Sequence, residues 1–136
     1  MKFGEKLKLS RDKKKMTQEE LAKRLGISKQ AIIKYEVHGI YPRKREVYTR
    51  LAEIFDMDVN YFISEEEDFA LEATEKYGSK GAKDAEKILQ QTNALFAGGD
   101  LDEEDRDKFF KVMTEIYFDS KLKAKKYTPK KYLKDE

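Results

Sequence analysis

Cysteine and tryptophan are absent from the 136 residues, proline occurs twice and histidine once. Without cysteine the chain can form no disulfide and no thiolate metal site, and it suits a reducing compartment. One histidine and no glycine-rich phosphate loop leave little from which to build a catalytic centre, so no enzyme, cofactor or metal site is expected. No stretch approaches the ~18 consecutive apolar residues of a membrane span. The N-terminal MKFGEKLKLSRDKKK lacks the apolar core of a signal peptide, which points to a cytoplasmic protein with no membrane contact. Period-2 alternation is also missing, so strands are not expected and the fold class is all-α.

Charge is abundant: 41% of residues are charged and 39% apolar, which concentrates the apolar residues on one face of each helix. The net charge of +2 conceals an asymmetry. Residues 1 to 63 carry 15 Lys and Arg against 9 acids, a net +6, whereas residues 64 to 136 carry 14 against 18, a net −4. A basic N-terminal part is consistent with attraction to a phosphate backbone and equally with a solubilising surface.

Helices are expected over Phe3 to Lys14, Gln18 to Leu25, Lys29 to Val37, Arg45 to Phe55 and Asn60 to Ile63. The run SEEED, 64 to 68, reads as an acidic break, either a linker or a helix start. Three further helical patterns follow. One covers Phe69 to Tyr77; another sets Ala85, Ile88, Leu89, Thr92, Leu95 and Phe96 on one face; the last sets Phe109, Phe110, Met113, Ile116 and Tyr117 on another. GGD at 98 to 100 separates the last two, with Gly98 as a left-handed helix end and Asp102 as the next N-cap, a helical hairpin signature. The domains expected are 1–66 and 67–136, the latter ending in a lysine-rich tail, 121–136.

TQEELAKRLGISKQAIIKYE, residues 17 to 36, packs two short helices about one glycine. Thr17 and Glu20 have the spacing of a capping box. Leu21 and Leu25 face inward, and the small Ala22 beside them lets a second helix cross closely at a steep angle. Gly26 permits positive φ in a three-residue turn, Ile27 plugs the angle and Ser28 caps the next helix. Ile32 and Tyr35 point back to the core. Outward on the second helix remain Lys29, Gln30, Ile33 and Lys34: long donors, an amide able to pair with adenine, and an aliphatic able to meet a thymine methyl. A solvated helix face is the plain alternative for these residues, and the turn before them argues against it.

With those residues in place, the stretch from about Phe3 to Ile63 resembles the helix-turn-helix family of phage lambda repressor and Cro, also called the XRE family. The resemblance implies a five-helix DNA-binding domain. It implies that Gln18 touches a backbone phosphate, that Lys29, Gln30 and Lys34 read base edges in the major groove, and that Arg11 and Glu36 form an internal ion pair. The turn before helix 2 often holds Gly or Asn in that family, and this chain has Lys15, at a cost of roughly 1 kcal/mol if the backbone there is left-handed. GIYPRKR, 39 to 45, places Arg43 and Lys44 to hold phosphate beside the groove.

The expected function is sequence-specific binding of double-stranded DNA by a transcriptional regulator, a repressor acting as a homodimer on a palindromic operator. The alternative is an antitoxin or adaptor whose C-terminal helices hold a protein partner. The self-cleaving repressor variant of the family carries a β-rich Ser-Lys peptidase domain, for which residues 64 to 136 offer no strand pattern. His38 reads as a helix-end cation rather than a ligand, and the aromatic stripe of the last helix as packing. The terminal lysines read as a solvated tail.

Overall fold

The computed structural model of the protein describes residues 1–99 and 101–127, and every described element is helical. The first five helices are α1 (Phe3–Lys13), α2 (Gln18–Leu25), α3 (Lys29–Val37), α4 (Arg45–Phe55) and α5 (Val59–Phe62). Apolar residues recur every three or four positions along α1, α2 and α4, so each helix buries one stripe. Leu7, Leu21, Ile32, Tyr48, Leu51 and Phe62 are wholly buried where those stripes meet. Each of the aliphatic and Phe62 side chains contributes on the order of 1.5–3 kcal/mol by leaving water.

Local signals set the ends of these helices. Thr17 Oγ1 accepts from the Glu20 N–H at 3.1 Å. The reciprocal half of the expected capping box is not formed, and Glu20 stays in solvent. Gly26 ends α2 at φ 71°, and Ser28 Oγ caps α3 through the Ala31 N–H at 3.1 Å. His38 is the residue that closes α3. Lys15 is left-handed, at φ 52°. Helix α1 ends one residue earlier than expected and α5 lies one residue nearer the N-terminus.

The acidic run proves to be a helix start. Ser64 Oγ accepts from the Glu67 N–H at 3.2 Å while the Glu67 carboxylate accepts from the Ser64 N–H at 3.0 Å, a complete capping box that opens α6 (Glu65–Leu95). Helix α6 is bent at Gly78, where φ is 63° and ψ −143°. The bend divides it into two arms, 65–77 and 79–95, folded so closely that a Cβ on Gly81 would stand 2.0 Å from the Ala73 carbonyl oxygen. Helix α7 (Glu103–Tyr127) packs against both arms. Phe69 and Ala73 from the first arm, Ala85 and Leu89 from the second, and Phe110 and Tyr117 from α7 form a second core.

Two expectations for this region change. The unit is a three-segment bundle rather than a hairpin with a separate short helix, because the bend brings Phe69 and Ala73 into the core. The left-handed glycine between the segments is Gly99, at φ 79°, and not Gly98, since α6 already ends at Leu95. Of the two apolar stripes, Ala85, Leu89, Phe110 and Tyr117 are buried within the bundle and Leu95 and Ile116 stay exposed, as do Leu101, Val112 and Leu122. The Asp102 cap is present, its carboxylate accepting from the Asp105 N–H at 2.9 Å. The lysine-rich stretch expected as a solvated tail from 121 onward is in part helix: residues 121–127 continue α7, and Lys121 Nζ stands 3.0 Å from Asp84 Oδ2, while Asp100 and residues 128–136 lie outside the described residues.

Helix α6 also docks on the first bundle. Leu71 joins the first core. Arg45, the first residue of α4, reaches Glu75 with two nitrogens at 3.0–3.2 Å and Asp68 at 2.7 Å. The N-terminal amino group pairs with Glu103. Among the described residues no helix is long and apolar enough to cross a membrane.

Candidate nucleic-acid interface

The outward side of α3 is held in place from behind by one buried ion pair. Arg11 on α1 donates to Glu36 on α3 through Nε at 3.0 Å and Nη2 at 2.9 Å, and its Nη1 donates to the Met16 carbonyl at 2.8 Å. The Glu36 side chain is 3% exposed and that of Arg11 11%. Hydrogen bonding to Glu36 pushes the Arg11 pKa above its ordinary value. Removing one partner would strand a buried charge, at a cost of about 3–5 kcal/mol. The pair therefore locks α3 against α1 and the start of α2.

Gln18 is positioned through the same pair. Its Nε2 donates to Glu36 Oε1 at 3.3 Å, which fixes the amide at the N-terminal end of α2, where a helix terminus favours an anion. Lys29, at the first turn of α3, donates to Glu19 Oε1 at 2.9 Å across an open depression of about 610 Å³ that Gln18 and Lys8 also line. The Lys29 hydrogen bond holds the Glu19 pKa below the usual carboxylate value. Both side chains are exposed, so the pair is weak in water and a phosphate or a base edge can replace the carboxylate.

Gln30 and Lys34 are exposed one turn apart on α3 and, among the described residues, make no side-chain hydrogen bond or ion pair. Ile33 is half-buried rather than fully outward. Ser28 is exposed, and its oxygen is engaged as the α3 cap. The structure thus gathers Gln18 and Lys29 around one depression, with Gln30, Ile33 and Lys34 farther along the same helix.

Arg43 and Lys44 are placed elsewhere. Lys44 is exposed at the start of α4, whereas Arg43 lines a separate cleft against α6. Two placements had no sequence signal. Lys8, a surface lysine of α1, lines the depression with Gln18 and Lys29. Arg45 appeared only as one cation of GIYPRKR, because its partners lie 23 and 30 residues away on α6.

Residues 7–62 match the family model described as helix-turn-helix. These residues form a helix-turn-helix DNA-binding domain of the lambda repressor and Cro type. The match spans α2, the Gly26 turn and α3, together with the helices that brace them. Over its whole length the chain is similar to the immunity repressor protein of Bacillus phage phi105, with 28% identity covering 100% of this chain and 99% of that protein. No solved structure matches the chain at a significant level.

Proposed function

We propose that the protein is a transcriptional repressor that occupies a palindromic operator as a homodimer, with α3 of each helix-turn-helix domain in the major groove. The observation that carries this reading is the state of α3: its outward donors Gln30 and Lys34 are unengaged, while Arg11 and Glu36 hold the helix rigid from behind. A preset helix with free donors loses little freedom on meeting base edges. The full-length similarity to a phage immunity repressor supports the sign of regulation.

In this reading Lys29, Gln30 and Lys34 read bases, Ile33 meets a thymine methyl, and Gln18, Arg43 and Lys44 hold phosphates. Ser28 serves by setting the start of α3. Residues 1–66 are the DNA-binding domain and 67–136 the dimerising one.

Selection of bound fragments from a random DNA pool should return a two-fold symmetric consensus with half-sites ~34 Å apart or a multiple of that spacing. Against that consensus, Gln30→Ala or Lys34→Ala should cost ~1–3 kcal/mol and relax preference at particular base pairs. Arg43→Ala should weaken binding to every sequence and flatten its salt dependence. Equal losses on selected and random DNA at all three positions would contradict the division into base readers and phosphate holders.

A further inference from the structure

A second cleft, of about 260 Å³, lies between the loop that precedes α4 and the bent α6. Its floor is aliphatic, with Leu71 from the first arm and Ala82 and Leu89 from the second. Three charged residues line it: Arg43, Glu66 and Glu86. Glu66 is committed, since its Oε2 accepts from Arg106 Nη2 at 3.2 Å, and the same nitrogen donates to Asn93 Oδ1 at 2.7 Å. Arg43 and Glu86 are different. Both are exposed, and neither is paired with the other or with any described residue. The cleft therefore offers one uncommitted charge of each sign beside an apolar floor, with the half-buried Tyr41 and the Gln90 amide as neutral hydrogen-bonding neighbours.

Opposite charges that line one cleft without closing on each other leave room for a ligand carrying the complementary pair. A simple anion would satisfy Arg43 and face Glu86 with a like charge; a simple cation would meet Arg43 the same way. A nucleotide exceeds a cleft that falls below the ~300–1,000 Å³ of drug-sized sites. We propose that this cleft binds a small zwitterion, an α-amino acid with an aliphatic side chain. Its carboxylate takes the planar fork of Arg43, its ammonium takes Glu86, and its side chain lies on Leu71, Ala82 and Leu89. The same guanidinium is a phosphate holder in the DNA-bound state, so ligand and DNA backbone compete for it. That coupling rests on the repressor reading above, whereas binding to the cleft does not.

Calorimetric titration of the full chain with L-leucine, in the absence of DNA, tests the cleft. Saturable binding is expected at ~1 mM or tighter. Isocaproate, which lacks the ammonium, and isopentylamine, which lacks the carboxylate, should each bind at least ~10-fold more weakly. Glu86→Gln should weaken L-leucine to a similar degree, and Ala82→Leu, which fills the floor, should abolish the heat of binding while circular dichroism stays helical. No saturable binding of L-leucine, equal binding of either half-molecule, or an unaffected Glu86→Gln variant overturns the assignment. Adding L-leucine to the wild-type complex with selected DNA should lower its affinity, and the Glu86→Gln complex should no longer respond. Bound leucine with unchanged DNA affinity would overturn the sharing of Arg43. Bound leucine in a protein with no affinity for any DNA would refute the repressor reading and leave the cleft standing.

Discussion

Glu67 is subject to two opposed demands. As the third residue of α6 it sits where a helix terminus favours a negative charge, and it accepts from the Ser64 N–H. Yet it is only 8% exposed, and it lies close to Tyr48, whose buried hydroxyl has no hydrogen-bond partner among the described residues. Burial prevails over the attraction of the Ser64 amide, Lys6 and Tyr48, and raises the Glu67 pKa above the ordinary carboxylate value of 4.5. The sign follows from linkage: the protonated form is relatively favoured in the folded state, so the contribution is fully present below pH 4.5 and is lost as pH rises through the raised value. Glu67→Gln keeps the acceptor and removes the charge. Its urea midpoint should exceed that of the wild type at pH 7, and the gap should narrow as the pH falls toward 4.5. A gap that does not vary with pH would refute the assignment. The residue scale was legible where local chemistry is self-contained, as at Ser28 and Gly26, and where the family pattern supplied the Arg11–Glu36 pair. It was not legible at Glu67, because an acidic run gives no sign of which member is buried.

Among the elements, α6 depends most on two glycines. Gly78 occupies a backbone region that side chains strongly disfavour, and Gly81 lets the second arm lie against the first. The atom that a Cβ at position 81 would strike is a backbone oxygen, which cannot turn aside as a side chain could. Gly81→Ala should therefore lower stability by ~1–3 kcal/mol, as overpacking of a closed contact does. Gly98→Ala, with nothing within 4 Å of its added Cβ, is the matched control and should change stability by less than ~0.5 kcal/mol. Thermal unfolding of both variants checks the difference, and equal midpoints would count against the close approach. The place of the bend could be read from the helical pattern ending at Tyr77. Its angle could not, because Gly78 permits many directions and only the fit of Phe69 and Ala73 beside Ala85 and Leu89 selects one.

The whole molecule consists of two cores joined through one helix, with Arg45 clamping α6 to the start of α4 and Leu71 buried in the first core. In the repressor reading, this joint would carry the geometry of a dimer to the two copies of α3. Val112 and Ile116, one turn apart on α7 and each more than half exposed, are two of the exposed apolar residues that a second copy would cover. Sedimentation of the full chain should show a dimer. The double substitution Val112→Asp with Ile116→Asp should yield a folded monomer, because a charge at these exposed positions is tolerated in solvent and disfavoured between subunits. A wild-type chain that stays monomeric at high micromolar concentration would remove the second bundle from the role of dimeriser.

Helix type, most helix ends, the turn around Gly26 and the exposure of Lys29, Gln30 and Lys34 on α3 were determined by the sequence alone, because periodicity, caps and a left-handed glycine act over four or five residues. Tertiary structure decided the rest. It buried Phe110 and Tyr117 within the second bundle, bent α6 until Gly81 met Ala73, engaged Lys29 with Glu19, and turned Arg43 toward α6 instead of the depression beside α3. Each of these outcomes joins residues that no helical period relates, and which partners meet depends on how whole faces close together rather than on any stretch of chain.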